Sequence, residues 1–378
     1  MSKTIETLTA EFTPQMGSMT PVDHQLTRLR FRPDGKQLFA SCMDGTLRRW
    51  EVPTSFDDKE FDPKNRKKMP LKELSPWSGH NGWVTAVEFH PTKSLVYSID
   101  SWGTLLCRDH AGKQVWRLDE AHDGWIRDLA ISPDGKLAAT CGRDRLINLW
   151  SAEDGSLVKR FAEHEDEVYC VMFSPDSTRL VSGDWQGVVK QWSVPGDGVA
   201  SEREFDTKDF YKYDRIQDVG GTRVLKFIDQ GRRLVAAGAL PSGGGFVKAT
   251  PALRVFDFES GERLHDLTFG TSNDGYVFEV YEHPAGFLAM VTSGQPNTGK
   301  LIQHVLGEAE PFVVNTKLSN NHSITVHPDG ALFAVISTNR GSNGNGRRLN
   351  KEGEYEGNSS PIHLFRWHQP RDATDTST

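Results

Sequence analysis

Apolar and polar positions alternate along this chain in short runs of about five residues, each run bounded by a turn signal. A period of two is the signature of a strand with one buried face. The punctuation is equally regular, with Pro-Asp-Gly at residues 33–35, 133–135 and 328–330 and further Asp-Gly or glycine-containing breaks elsewhere. Such triplets have a turn mechanism, since proline presets φ and glycine tolerates a positive φ. No segment of ten residues or more carries a helical 3.6-residue pattern. The pattern predicts an all-β protein built from many short strands.

The runs are organised as a repeat. Three segments begin HNGWVTAVEFHP at His80, HDGWIRDLAISPDG at His122 and HEDEVYCVMFSPDS at His164, with their histidines evenly spaced. An apolar residue closes the first strand at Phe89, Ile131 and Phe173, and a proline follows at Pro91, Pro133 and Pro175. A hydroxyl recurs at Ser98, Thr140 and Ser182, and a large residue at Arg108, Trp150 and Trp192. Weaker copies extend the series in both directions. Leu26–Trp50 is one, with Val22 at the histidine position. Two degenerate copies begin TRVLKFIDQG and YVFEVYEHPAG, and a last copy opens at Ser323 and finishes with PIHLFRW. Four strands and their turns fill about 40 residues, the size of one propeller blade. Seven copies predict a seven-bladed β-propeller of four-stranded antiparallel blades, one domain over residues 1–378.

On these motifs the repeats resemble the WD40 family across essentially the whole chain. The resemblance implies a hydrogen-bonded structural tetrad, best matched by His122, Thr140, Asp144 and Trp150. In the flanking copies the tetrad's Asp position holds Trp102 and Gln186 instead, and Arg108 replaces a Trp. That departure predicts rigidity unevenly shared among blades. The resemblance also implies ring closure. The alternating stretch Thr4–Phe12 is expected to complete the last blade, because an unpaired edge would invite aggregation. Residues 370–378, polar throughout, are expected to be a disordered tail.

Composition narrows the function classes. The charge of -7, from 44 Lys+Arg against 51 Asp+Glu, argues against a dedicated nucleic-acid binder. No apolar run is long enough to span a bilayer and no secretory signal opens the chain. The four cysteines, at 42, 107, 141 and 170, show no metal-ligand spacing, which fits a reducing cytoplasm.

Several residues carry candidate chemistry. His122, Thr140 and Asp144 have the ingredients of a nucleophilic triad, but their recurrence with substitutions assigns them to structure. The glycine-rich segments 243–245 and 341–346 lack the Lys-Ser/Thr and the helix of a phosphate loop. Arg340, Arg347, Arg348 and Lys351 make the second loop basic, able to touch RNA or an acidic partner. The insertion Pro53–Pro70, half acidic and half basic, reads as a solvated excursion from blade one. Phe210, Tyr211 and Tyr213, between blades four and five, read as cover for a blade edge.

Aromatic and arginine residues outside the repeat pattern suggest where partners dock. Trp83 and Trp125 follow the histidine turns, and Trp102 and Trp185 lie in turns expected on the same, top, face. Arg127, Arg143 and Tyr169 fall beside them. Trp, Tyr and Arg are the residues enriched in binding hot spots. The expectation is a non-catalytic scaffold, monomeric alone, without a cofactor or membrane contact, that holds proteins or peptides on its top face. Its alternative is a hydrolase- or lactonase-like propeller with a metal in the central channel. His24, Asp100, Glu167 and Asp184 are the candidate ligands for that site.

Overall fold

In a computed structural model of the protein, the described residues are 3–62, 64–65, 68–214, 217–242, 248–339, 348–349, 355–356 and 358–367. Their strands form seven four-stranded antiparallel sheets arranged as blades. The inner strands are Leu26–Phe31, Val84–Phe89, Ile126–Ile131, Val168–Phe173, Val224–Ile228, Tyr276–His283 and Ser323–Val326. Each packs on the next, and Ser323–Val326 packs back on Leu26–Phe31 to close the ring. Five inner strands carry a register shift near their start, for example between Ile126 and Asp128 against Gly142 and Cys141. A bulge of this kind redirects one side chain and sharpens the twist. Here the redirected residues are Thr27, Thr85, Arg127, Tyr169 and Phe278, of which Thr27 and Thr85 donate to the Val84 and Ile126 carbonyls of the next blade.

The core lies between blades, not in a single centre. Trp50 packs with Leu29, Leu38 and Leu364 across the seam of blades one and seven. Trp192 packs with Phe161 and Leu149 across blades three and four. The two degenerate copies still bury continuous apolar strands, such as Phe287–Ser293, so the blade survives where its motif does not.

Turn chemistry seats one blade on the next. Gly135 of the blade-three turn holds φ at +74, and a Cβ there would stand 2.4 Å from the His90 ring of blade two. The His90 Nε2 donates to the Gly135 carbonyl at 2.9 Å, while its Nδ1 accepts from the Lys93 amide at 2.9 Å. His327 of blade seven makes the same bond to Gly35 of blade one at 3.0 Å. Burial keeps His90 below the usual histidine pKa, as its neutral tautomer requires.

Closure follows the expected logic with different residues. Ile5–Phe12 is an α-helix capped by Thr4, whose hydroxyl accepts from the Thr7 amide. Its buried residues, Leu8 and Phe12, are four apart and so share one helical face. The closing strand is Pro14–Thr20, paired antiparallel with Ile362–Trp367. A proline at the start of an outer strand is tolerated because its missing N–H faces no neighbour.

The 53–70 insertion is not a solvated excursion. Asp58–Phe61 forms a helical turn that lays Phe61, 2% exposed, against the closing strand. A Cβ on Gly17 would lie 2.6 Å from that ring. Asp58 accepts from Arg366 at 3.0 Å, Thr20 accepts from the Leu71 amide at 2.9 Å, and Lys68 donates to the Met16 carbonyl. The insertion clasps the ring where it closes. Between blades four and five, Phe210 is buried and Arg254 stacks on it at 5.0 Å, so this ring covers an edge as expected. Tyr213 is exposed.

Candidate functional site at the mouth of the channel

Three blades hold buried histidine networks. In blade three Trp150 Nε1 donates to the Thr140 hydroxyl at 2.8 Å, and that hydroxyl meets His122 Nε2 at 2.7 Å. The hydroxyl proton therefore goes to Nε2, and Nδ1–H is left for Asp144 at 2.9 Å. Blade four repeats the chain through Trp192, Ser182, His164 and an aspartate. The aspartate is Asp184, and in blade two it is Asp100, each 2 residues nearer the hydroxyl than Asp144 is to its own. The network is therefore retained in both flanking blades, contrary to the loss inferred from Trp102 and Gln186. Against the burial that would raise it, bonds from His80 and from the Thr104 and Trp102 amides hold the Asp100 carboxyl down at about 2. In blade two Arg108, in the Trp position, donates to the Ser78 carbonyl.

The histidines, hydroxyls and aspartates of these networks are enclosed and bonded to one another, a structural arrangement. Asp144→Ala strands His122 Nδ1–H and the Leu146 amide. A buried donor left unmet costs about 1–3 kcal/mol. The expected result is a lower melting temperature with partner binding unchanged, read by thermal unfolding beside a binding assay. Lost binding at an unchanged melting temperature would contradict the structural role.

The candidate channel ligands do not converge. Asp100 and Asp184 are spent in the networks above. His24 sits beside Asp23 and Arg48, and Glu167 pairs with Arg127 at 2.6 Å. Different carboxylates line the channel. Arg28 meets Asp128 at 2.6 Å, Arg30 meets Glu88 at 2.8 Å and Glu279 at 2.6 Å. Asp128 also accepts from the Val171 amide, and Glu279 from the Ser323 hydroxyl and the Ile324 amide. Burial pushes the Glu88 carboxyl up while Arg30 and Arg28 pull it back, and burial lowers the Lys226 ammonium. This lattice joins blades one, two, three, four, six and seven, and each of its carboxylates already has a cationic partner. Among the described residues no group of three or more His, Cys, Asp or Glu side chains is arranged to hold a metal ion.

Above the lattice lies a crescent of rings and guanidinium groups. Trp83 meets Trp125 edge-on at 5.6 Å. Arg127 stacks over Trp125 at 4.1 Å and over Tyr169 at 4.8 Å. Tyr169 contacts Trp185 at 5.0 Å. Arg143 reaches Glu167 at 3.7 Å with its side chain largely in solvent. Six of the seven sequence candidates are thus brought together. Trp102, 67% exposed, stands on the same face with no ring partner among the described residues, and Trp83 is 47% exposed.

Sequence reasoning missed the far end of the crescent. Arg223 stacks over Tyr169 at 4.4 Å, Trp185 at 5.2 Å and Tyr276 at 4.8 Å. Both Arg223 and Tyr276 belong to degenerate copies, where no repeat register marked their level. The signal available was their place at the entry to an inner strand, matching Trp125 and Tyr169. The glycine-rich segment 243–245, residues 340–347 and 351, and the tail 370–378 lie outside the described residues. Of Arg348 only the strand position is described.

Comparison with known proteins agrees with this architecture. The WD domain, G-beta repeat, matches residues 18–51, 71–109, 112–151 and 155–193, which are blades one to four. The chain carries four WD40 repeats within a seven-bladed propeller. Blades five to seven lie beyond the matched residues. It is similar to Pre-mRNA-processing factor 17 of Mus musculus, 27% identical over 46% of this chain and 29% of that protein. Protein HIR1 of Kluyveromyces lactis is 26% identical over 45% of this chain and 22% of that protein. Telomerase protein component 1 of Rattus norvegicus is 22% identical over 85% of this chain and 10% of that protein. The chain thus spans less than a third of the length of these relatives.

Proposed function

We propose that this WD40 propeller is a non-catalytic scaffold that docks a protein or peptide across the top face of blades two to four. The observation that carries the reading is the crescent itself. Large rings, two of them strongly exposed, surround arginines at the end of a channel filled with ion pairs. Aromatic and arginine anchors supply most of the affinity of a protein interface. The similarity to Telomerase protein component 1, whose name makes it a component of something larger, supports a role in an assembly. The pairing of every lattice carboxylate with an arginine favours a scaffold over a channel enzyme. Four buried cysteines, all free, support a reducing compartment such as the cytoplasm. The basic 340–351 loop would add steering and little affinity.

The test is affinity capture from cell extract with quantitative mass spectrometry, comparing the wild-type chain with Trp102→Ala/Trp185→Ala. Loss of more than about 2 kcal/mol of binding to the main captured partner is expected from hot-spot magnitudes. The fold should survive, because neither tryptophan belongs to a histidine network. Binding that persists in the double variant but vanishes on deleting residues 341–350 would move the site to blade seven.

A further inference from the structure

Arginines at and within the channel are matched with carboxylates, with one exception. Arg28 has Asp128, Arg30 has Glu88 and Glu279, and Arg127 and Arg143 share Glu167. Among the described residues no carboxylate lies within ion-pair distance of Arg223. Its neighbours are the rings of Tyr169, Trp185 and Tyr276. Aromatic faces satisfy the faces of a guanidinium but not all its in-plane N–H donors, of which one bonds the Tyr276 hydroxyl. Consistent with that, Arg223 Nε is buried without an acceptor, and so is the neighbouring Trp185 Nε1. Arg223 also lines the open space of about 410 Å³ in the channel. A permanently charged fork, desolvated on both faces and lacking a counter-ion, is a costly arrangement for a folded chain to keep.

We propose that Arg223, held among Tyr169, Trp185 and Tyr276, anchors a carboxylate side chain of an acidic peptide partner at the mouth of the channel. This rests on the docking reading above and names the chemistry of its partner. A carboxylate is planar and singly charged, and accepts two parallel bonds from a guanidinium edge. A phosphate dianion carries about twice the charge of this one guanidinium, and the neighbouring Arg127 and Arg143 are already paired with Glu167. Low dielectric between three rings strengthens the pair relative to one in water. The exposed Trp83 and Trp102 lie along the same face, where apolar residues flanking the acidic one would rest. The chain's overall charge of -7 repels acidic peptides in general, so attraction at this spot is specific to it.

The probes are fluorescein-labelled hexaglutamate, hexaglutamine and hexaphosphoserine, titrated by anisotropy at low salt. The proteins are the wild-type chain, Arg223→Gln, Arg223→Lys and, as a control, Arg232→Gln on the opposite face. The wild type is expected to bind hexaglutamate at least tenfold more tightly than hexaglutamine. Arg223→Gln should lose at least tenfold, Arg223→Lys should fall between, and Arg232→Gln should stay within twofold. In the wild type the Arg223 Nε–H resonance, assigned by its absence from Arg223→Lys, should move on adding hexaglutamate. That measurement reads binding in the wild-type chain itself. Equal affinity of wild type and Arg223→Gln for hexaglutamate, or an unmoved resonance, would overturn the proposal. A preference for hexaphosphoserine that depends on Arg223 would overturn it in favour of a phosphopeptide. If Trp102→Ala/Trp185→Ala loses its captured partner while hexaglutamate ignores Arg223, the docking face stands and the acidic anchor alone falls.

Discussion

A chain lacking residues 1–20 is expected to aggregate, or to lose most of its stability, because it forfeits ring closure in three ways at once. The strand Pro14–Thr20 would no longer pair with Ile362–Trp367, leaving an apolar edge strand open to other molecules. Leu8 and Phe12 would leave the cluster they form with Phe287, Phe333, Phe365 and Trp367. Burial of two such side chains stabilises by about 1.5–3 kcal/mol each. Phe61 would also lose the surface around Gly17, so the clasp of the 53–70 insertion would have nothing to hold. The loss should exceed about 5 kcal/mol, a large part of the 5–15 kcal/mol that stabilises an ordinary domain. Size-exclusion chromatography and thermal unfolding of a chain beginning at Pro21 provide the check. A monomer that melts within a few degrees of the full chain would show that closure lies elsewhere. Gly17→Val is the milder version, since its side chain meets Phe61 without removing any strand.

Glu279→Ala should be the most damaging single substitution in the channel. One carboxylate oxygen meets Arg30 at 2.6 Å, and the other accepts from the Ser323 hydroxyl and the Ile324 amide at 2.5 and 3.0 Å. Alanine leaves those donors unmet and Arg30 with Glu88 alone. Breaking a buried pair by removing one partner costs about 3–5 kcal/mol. Glu279→Gln keeps the shape and should cost less, because an amide oxygen still accepts from the blade-seven donors. Urea unfolding distinguishes them, with a lower midpoint at an unchanged slope expected for Glu279→Ala. A midpoint equal to wild type would mean that water replaces the carboxylate, and that the lattice is solvated packing.

The two predictions draw on different kinds of evidence. Seven blades, their strand order and the His122 network follow from spacing, because a repeat places equivalent residues in equivalent surroundings. The same regularity misled where a blade departs from it. Asp100 and Asp184 stand 2 residues from the aligned position, yet the turn brings each to its histidine. A side chain's reach is set by the turn's backbone, which an offset does not report. Likewise Thr4–Phe12 alternates on paper, but Thr4 caps a helix and Leu8 and Phe12 share a helical face. Eight residues of ambiguous pattern are decided by what they pack against.

The site divides the same way. Trp83, Trp125, Arg127, Tyr169 and Trp185 were legible because they recur near one level of successive copies, in a register that the repeat supplied. Arg223 and Tyr276 were not, since their blades had lost the marks that set the register. The channel lattice was invisible to sequence: Arg28, Glu88, Asp128 and Glu279 lie in different blades, and only closure of the ring makes them neighbours. By itself, then, the sequence determined what is local and periodic, namely strands, turns, blade number and the one histidine network that keeps its register, at His122. Tertiary structure alone decided what depends on contacts between blades: the closing strand and its clasp, the ion pairs across the channel, and the arginine left among aromatic rings. The physical reason is range. Backbone propensity and turn chemistry act over a few residues, whereas charge pairing and aromatic stacking act between residues up to 308 positions apart in the chain.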